Sequence, residues 1–275
     1  MNSLFRELAP ISSAAWGEIE SEAKRTLKTS LAARKLVEFK GPLGLETSSI
    51  NTGRRQAIGA LERGAETSIR ESQPLVEVRV PFELKRADLD SIERGADDAD
   101  LDPVIAAAQQ LARIEDRAAF HGYPAAMIQG ICEGAPGGAV PLSDDFGEYP
   151  VAVARAISRL HAAGVEGPFA IALSKQCYIG ITETTKGGYP VIQHVKRLLD
   201  GPIVWAPALD GAVVLSMRGE DFELIVGQDI SIGYLDHDRE KVRLYLQESF
   251  TFRVLSPQAA VPLAYEKKGG AKKGK

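Results

Sequence analysis

The sequence predicts a mixed fold in which a sheet domain is split by an inserted α/β subdomain and carries an extended arm. Three patterns support this. Long alternating strands occur in both halves of the chain, short strands alternate with helices between them, and a polar stretch interrupts the first half. At 275 residues the chain has the length of one large domain or two moderate ones.

Composition and charge narrow the functional classes. Apolar residues make up 44% of the chain and charged residues 25%, as in ordinary globular proteins. A net charge of −4 provides no basic field for nucleic acid. No segment approaches the roughly 20 apolar residues of a membrane span, and the first residues lack a signal-peptide pattern. Cys132 and Cys177 lack CxxC spacing, so we expect a reducing, cytoplasmic location.

The first element is a helix predicted from Ala14 to Arg34. Ser12 and Ser13 precede it, and either hydroxyl can accept a hydrogen bond from a free amide of the first turn. Its apolar residues recur at steps of three and four and form one stripe: Trp16, Ile19, Ala23, Leu27 and Leu31. Such a stripe must pack against another element.

The segment from Leu45 to Gln73 is rich in Thr, Ser, Gly and charged residues. Its composition leaves a linker, a long hairpin arm and a disordered loop as alternatives, and favours a segment that gains order by packing on a neighbour.

After it, "LVEVRVPFEL" alternates as a half-buried strand. In the following helix we predict Asp102 as the N-cap, Pro103 at the first helical position and Gly122 as the terminator.

The region from Ile131 to Leu224 predicts the inserted subdomain, because short strands alternate there with helices. Ser174 can cap one of these helices and Pro190 can begin another. Beyond it, "ELIVGQDISIGYL" and "VRLYLQESFTFRVL" form long strands, and Glu248 alone interrupts the apolar face of the second strand.

The stretch Asp236, His237 and Asp238 between these strands has two interpretations, a metal or catalytic cluster and a hairpin turn. Consecutive side chains diverge and cannot converge on one ion, so we favour the turn.

Cys177 lies within a predicted helix as a small buried thiol, and Cys132 follows a Gly-rich context with no catalytic motif around it. We therefore predict no catalytic residue, no metal site and no cofactor, and the parts suit a subunit of an assembly.

Several long stretches carry a resemblance to a known family. "LFRELAPISSAAWGEIESEAKRTLKTSLAARKLVEFKGPLG", "EDRAAFHGY", "AGVEGPFAIALS" and "VGQDISIGYLDHDREKVRLYLQESFTF" closely resemble the shell proteins of family 1 encapsulins, once labelled linocin-type bacteriocins. The resemblance runs in one order from Met1 to about Tyr265.

The resemblance implies an α+β fold of the HK97 phage major capsid protein type. It implies a P-domain formed by residues 1–44, 74–130 and 225–265, an E-loop at 45–73, an A-domain at 131–224 and a flexible Lys/Gly tail at 266–275. It also implies a self-assembled icosahedral homo-oligomer of about sixty copies. The family encloses cargo enzymes of oxidative stress or iron storage, such as dye-decolourising peroxidases and ferritin-like proteins, each bound through a C-terminal targeting peptide.

The resemblance places the targeting peptide between the first helix and later P-domain strands. Apolar members of this cargo-peptide groove would bury peptide side chains, while Arg34 and Glu38 would fix polar groups. The matching residues here are Leu27, Leu31, Arg34, Leu36, Glu38, Ile230, Ile232 and Tyr234.

The resemblance also maps the five-fold pore to one loop of the A-domain. A ring of Lys186 would favour anions, and Glu183 could offset it. The loop comprises Glu183, Thr184, Thr185, Lys186, Gly187, Gly188 and Tyr189.

A flavin-binding relative carries Trp where this chain has Ala87, so we predict no flavin here. The alternative function is that of a bacteriocin or protease, which the lack of a catalytic motif argues against.

Overall fold

The computed structural model describes residues 3–266 of the chain. Within these residues it contains two five-stranded sheets and two small two-stranded sheets. Of the tail predicted to be flexible over 266–275, only Glu266 falls inside the described residues; the rest lies outside them.

The α-helices and strands alternate along the described part of the chain. The α-helices are α1 (Ser13–Ser30), α2 (Arg86–Glu93), α3 (Asp102–His121), α4 (Ile131–Gly134), α5 (Tyr149–Ala162), α6 (Lys175–Glu183) and α7 (Val191–Lys196). The strands are β1 (Glu38–Lys40), β2 (Ser49–Ile58), β3 (Thr67–Pro74), β4 (Val76–Lys85), β5 (Val140–Leu142), β6 (Phe169–Leu173), β7 (Thr185–Lys186), β8 (Tyr189–Pro190), β9 (Ile203–Trp205), β10 (Ala212–Ser216), β11 (Phe222–Val226), β12 (Ser231–His237), β13 (Lys241–Val254) and β14 (Ala260–Tyr265).

Helix α1 begins as predicted but ends earlier. Ser12 is the N-cap, and its hydroxyl accepts a hydrogen bond from the amide of Ala15 at 3.2 Å. The helix ends at Ser30 and not at Arg34, because Leu31 adopts an extended conformation. The chain then turns, and this turn carries Arg34 away from the helix surface toward the sheet.

Helix α3 differs from the prediction at its N-terminus. Asp102 is the first helical residue and not the N-cap; Leu101 occupies the cap position without a capping side chain, and the carboxylate of Asp100 accepts a hydrogen bond from the amide of Asp102 at 3.2 Å. The carboxylate of Asp102 still lies in the first turn, where it stabilises the positive end of the helix dipole. Gly122 ends the helix with φ 76°, a conformation that favours glycine, as predicted.

The first five-stranded sheet is built on the long strand β13. Strand β4 pairs antiparallel with one edge of β13, and β12 and β11 follow one another along the other edge, with β1 parallel to β11. The hairpin predicted around residues 236–238 therefore forms. Helices α1, α2 and α3 cover the β4, β12 and β13 face with one apolar core, which includes Ile19, Leu111, Ile232 and Leu246.

The second five-stranded sheet has the order β5-β14-β10-β6-β9. Strands β6 and β10 are buried along their whole length, and α5, α6 and α7 pack around them. The predicted division put residues 225–265 in the first sheet domain, but β14 pairs with β10 and β5 of the second sheet. The predicted boundary at residue 224 also falls inside β11. Apolar alternation marks a strand but does not tell which sheet it joins, which accounts for both differences.

The polar segment at 45–73 forms a hairpin arm, one of the three alternatives that its composition allows. Strands β2 and β3 pair antiparallel, with an irregularity between Asn51 and Arg55. Most of the arm is exposed, and Leu61 near its tip is 92% exposed. An arm with so little burial in its own chain suits packing on a neighbouring subunit.

Candidate functional site

A groove with a volume of about 510 Å³ lies between α1 and the edge of β12. Five residues of the predicted cargo-peptide groove line it: Leu27, Leu31, Arg34, Ile230 and Ile232. These residues come from two distant segments of the chain. The fold therefore brings together the two regions that the family resemblance had paired.

The groove has two apolar walls. On α1, Ala23 and Leu27 are four residues apart and so face the same side. On the opposite wall, Ile230 lies just before β12 and Ile232 lies within it, and both line the groove. Leu27 and Ile230 are half-buried, so part of their apolar surface remains available to a ligand.

Three predicted groove residues lie elsewhere. Leu36 is 3% exposed in an apolar core that residues of both five-stranded sheets share, and Glu38 lies on β1, where its carboxylate pairs with Lys40 at 3.8 Å. Tyr234 is half-buried outside the groove, and its hydroxyl bonds Nδ1 of His237 at 2.5 Å. Leu36 therefore has a core role, and neither Glu38 nor Tyr234 lines the groove.

Arg34 closes one end of the groove and is held by three carboxylates. Its guanidinium donates to Glu115 at 2.6 to 3.0 Å, to Asp229 at 2.8 Å and to Glu248 at 3.1 Å. The side chains of Glu115 and Glu248 are 0% exposed. Arg34 is therefore the counter-charge of two buried glutamates, a role that the sequence analysis missed. The one available signal was Glu248, the charged interruption in the apolar face of β13.

The ionisation of this cluster follows from its burial. Burial opposes the charge of Arg34, but the hydrogen bonds and charges of Glu115 and Asp229 outweigh it and raise the pKa of Arg34. Burial, together with the negative charge of Glu115, raises the pKa of Glu248 well above its ordinary value. Oε1 of Glu248 has no hydrogen-bond partner among the described residues. The cluster consequently tolerates protonation of Glu248 more readily than loss of Arg34.

Asp116 anchors the turn that follows α1. Its carboxylate accepts the amides of Ala32 at 3.0 and 3.1 Å and of Ala33 at 2.8 Å. Burial raises the pKa of Asp116 to about 7, and the amide bonds oppose that rise. Since Leu31 and Arg34 lie on this turn, Asp116 supports the groove from behind.

The N-terminal segment, residues 3–8, lies at the other end of the groove. The amide of Tyr234 donates to the carbonyl oxygen of Leu4 at 2.8 Å, and Leu4 and Arg6 both line the groove. Arg6 forms an ion pair with Glu20 of α1. Nothing in the composition of this segment predicted its place at the groove.

The predicted pore loop forms the exposed hairpin of β7 and β8. Gly187 and Gly188 occupy its tip with φ of 60° and 84°, values that favour glycine. The ammonium of Lys186 donates to the carboxylate of Glu148 at 2.9 Å and to the carbonyl oxygen of Gly147 at 3.0 Å. The charge of Lys186 is thus partly neutralised within its own subunit, by Glu148 and not by Glu183.

The Asp236 to Asp238 stretch shows the contacts of a turn. Asp238 accepts the amides of Glu240 and Lys241, each at 2.8 Å, and these bonds lower its pKa. Arg243 pairs with both Asp236 and Asp238. Within residues 3–266, no group of three or more His, Cys, Asp and Glu side chains is placed to hold a metal ion.

The thiol of Cys132 is poorly suited to nucleophilic chemistry. Burial, followed by the negative charges of Glu133 and Asp210, raises the pKa of Cys132 to about 12. The reactive thiolate is therefore scarce near neutral pH.

None of the helices in the described part of the chain is both long and apolar enough to cross a membrane.

Comparison with known proteins identifies the family. The family model described as "Encapsulating protein for peroxidase" matches residues 1–251. A type 1 encapsulin shell protein of Rhodospirillum rubrum is 54% identical over 270 residues, which covers 96% of this chain and 96% of the relative. The chain belongs to the type 1 encapsulin shell proteins. The predicted family is thereby confirmed.

Solved structures agree with this encapsulin membership at the level of the fold. The virus-like particle of Pyrococcus furiosus matches with a TM-score of 0.61 at 18% identity and covers 90% of this chain and 98% of that chain. The capsid of Myoviridae phage XM1 matches with a TM-score of 0.54 at 12% identity and covers 85% and 90%, respectively. The predicted α+β, HK97-type capsid fold is confirmed, and this encapsulin chain is a subunit of a capsid-like shell.

Proposed function

We propose that this encapsulin subunit assembles into a closed icosahedral shell of about sixty copies that holds a cargo enzyme in its interior. The groove between α1 and β12 binds the cargo's C-terminal targeting peptide. The cargo is a dye-decolourising peroxidase or a ferritin-like protein; the family description names peroxidase. The shell itself performs no catalysis and resides in the cytoplasm.

The groove is the observation that carries this proposal. It combines half-buried apolar side chains on both walls, Leu27 and Ile230, with polar groups at its ends. This composition suits a short apolar peptide, because apolar anchors supply affinity and the polar ends limit its position.

One groove should bind only moderately. Each fully buried anchor of the peptide contributes about 1.5–3 kcal/mol, from which the cost of ordering the peptide is subtracted. An oligomeric cargo that presents several peptides to neighbouring subunits gains effective concentration, so retention does not need one tight contact.

The test begins with particles purified from the native host. Electron microscopy should show uniform closed particles, and mass spectrometry should identify a peroxidase or a ferritin-like protein inside them. Removal of the cargo's last residues should release it. Particles that retain the truncated cargo undiminished would contradict the peptide mechanism.

A groove variant tests the site itself. Leu27→Asp places a charge on the half-buried wall of the groove and should leave particles intact while reducing cargo content. Leu235→Asp is the matched control, because Leu235 is 43% exposed and lies outside the groove. Equal cargo content in both variants would place the binding site elsewhere.

We also propose that the exposed loop from Glu183 to Tyr189 lines the five-fold pore. Its support is the projecting hairpin and its glycine tip. The ion pair of Lys186 with Glu148 makes the loop less cationic than Lys186 alone would make it.

A further inference from the structure

The N-terminal segment, residues 3–8, spans the end of the groove opposite Arg34. On one side the carbonyl oxygen of Leu4 accepts the amide of Tyr234 at 2.8 Å, which attaches the segment to β12. On the other side Arg6 pairs with Glu20 of α1, and its guanidinium carbon lies 4.1 Å from the ring centroid of Trp16. The segment therefore connects the two walls of the groove.

The position of this contact on β12 follows from strand geometry. In an antiparallel pair, successive residues direct their backbone groups alternately toward the partner strand and away from it. The amide of Tyr234 bonds Leu4, so it points away from β13. Ile232 lies two residues earlier and points its N–H and C=O to the same open edge, beside the groove.

An extended peptide in the groove can therefore pair with the backbone of Ile232 but not with that of Tyr234. Strand addition at an open sheet edge supplies main-chain hydrogen bonds, while side pockets select alternate side chains. Leu4 already occupies the next position along the edge. This also explains why Tyr234 lies outside the groove, although it shares a strand face with Ile232.

We propose that the N-terminal segment is an end stop that sets the register and the maximum length of the cargo peptide on β12. The inference rests on the proposed function of the groove. Arg6 joins the stop to α1, and its ion pair with Glu20 is partly exposed, at 30% and 49% of the two side chains. A single substitution should therefore release it.

The first experiment measures whether the segment is released. Arg6→Ala and, independently, Glu20→Gln remove the ion pair. Arg25→Ala is the matched control, because Arg25 pairs with Glu22 on the same helix outside the groove. In intact particles, hydrogen exchange of the Tyr234 amide should accelerate about tenfold in both test variants and stay at the wild-type rate in the control.

The second experiment measures peptide selection. A fluorescent protein carrying a short or a long C-terminal segment of alternating Leu and Ser is co-expressed with each shell, and its fluorescence per particle is measured. The wild type and Arg25→Ala should load both tags equally. Arg6→Ala and Glu20→Gln should raise the ratio of long-tag to short-tag loading roughly three- to tenfold, through the added main-chain bond at Tyr234.

The outcomes separate the end stop from the groove. Faster exchange at Tyr234 with unchanged tag preference overturns the end stop and leaves the groove in place. Unchanged exchange in both Arg6→Ala and Glu20→Gln also overturns it, because the segment is then not held as the structure assigns. If intact particles of every variant load neither tag, the proposed groove function fails and the end stop fails with it.

Discussion

Replacement of Arg34 by Met should destabilise the subunit strongly, although Arg34 lies at the edge of a groove. The substitution keeps the length of the side chain but removes the counter-charge of Glu115 and Glu248, whose side chains are 0% exposed. Removal of one partner from a buried ion pair costs about 3–5 kcal/mol, a large part of a typical free energy of unfolding of about 5–15 kcal/mol. Arg34 therefore has a structural role in addition to the contact with polar peptide groups that the family resemblance implies, which stays a prediction.

The assay is urea denaturation of the variant and the wild type. With a slope of roughly 2–3 kcal/mol per molar urea, the midpoint should fall by about 1–2.5 M. The loss should be smaller at pH 5 than at pH 8. Burial raises the pKa of Glu248 and Arg34 opposes that rise, so removal of Arg34 raises this pKa further. A protonated Glu248 then relieves the variant of a buried charge at low pH, and this relief is lost as pH rises through the raised pKa.

Two further variants make the result decisive. Arg25→Met removes the ion pair with Glu22, in which the arginine side chain is 74% exposed, and should cost less than about 1 kcal/mol. Arg34→Met combined with Glu115→Gln and Glu248→Gln should recover part of the loss, because neither glutamate then leaves a buried charge unpaired. A midpoint for Arg34→Met within the range of the Arg25→Met control at pH 8 would refute the reasoning.

Three other predictions concern pH, backbone space and pore charge. The pKa of Asp116 is about 7 in the fold against 3.8 ordinarily, so the free energy of unfolding should fall as pH rises from about 4 to about 7, by at most about 4 kcal/mol. Asp116→Asn should remove that slope from urea midpoints, and a retained slope contradicts the assignment. Gly17 lies on the exposed face of α1, with nothing within 4 Å of an added Cβ. Gly17→Ala should therefore raise the free energy of unfolding by about 0.5–1 kcal/mol. Gly233→Ala should destabilise by about 1–3 kcal/mol, because its Cβ would lie 2.1 Å from a tyrosine ring atom. Thermal denaturation of the two variants should show shifts of opposite sign. Glu148→Gln should leave the charge of Lys186 without its counter-charge and speed iodide entry into shells roughly two- to threefold, measured by quenching of an enclosed dye; equal acceleration of neutral acrylamide contradicts a charge effect.

Local elements followed from local sequence. The helical spacing of Ile19, Ala23 and Leu27 predicted the buried face of α1, and the hydroxyls of Ser12 and Ser174 cap the helices that they precede. Period-two alternation predicted β4 and the hairpin of β12 and β13. These signals are readable because they depend on neighbours within one turn or one strand.

The candidate groove was only partly predictable. Leu27 and Ile232 are ordinary apolar residues, and only the family resemblance selected them from the many others. Tyr234 satisfied the same strand parity but is excluded, because the N-terminal segment occupies its backbone edge. Parity describes which face a side chain takes; it carries no information about what covers that face.

The sequence by itself determined the class of elements, the caps at Ser12 and Ser174, the turn at Asp236 to Asp238 and, through its similarity to a known family, the capsid-type fold. The tertiary structure alone decided that Arg34 meets Glu115 and Glu248, which are 81 and 214 positions away, that β14 joins the second sheet, and that residues 3–8 close one end of the groove. The physical reason is the range of the forces involved. Periodicity and capping act between near neighbours, whereas the pairing of buried charges and of strand edges depends on which distant segments the whole chain brings into contact.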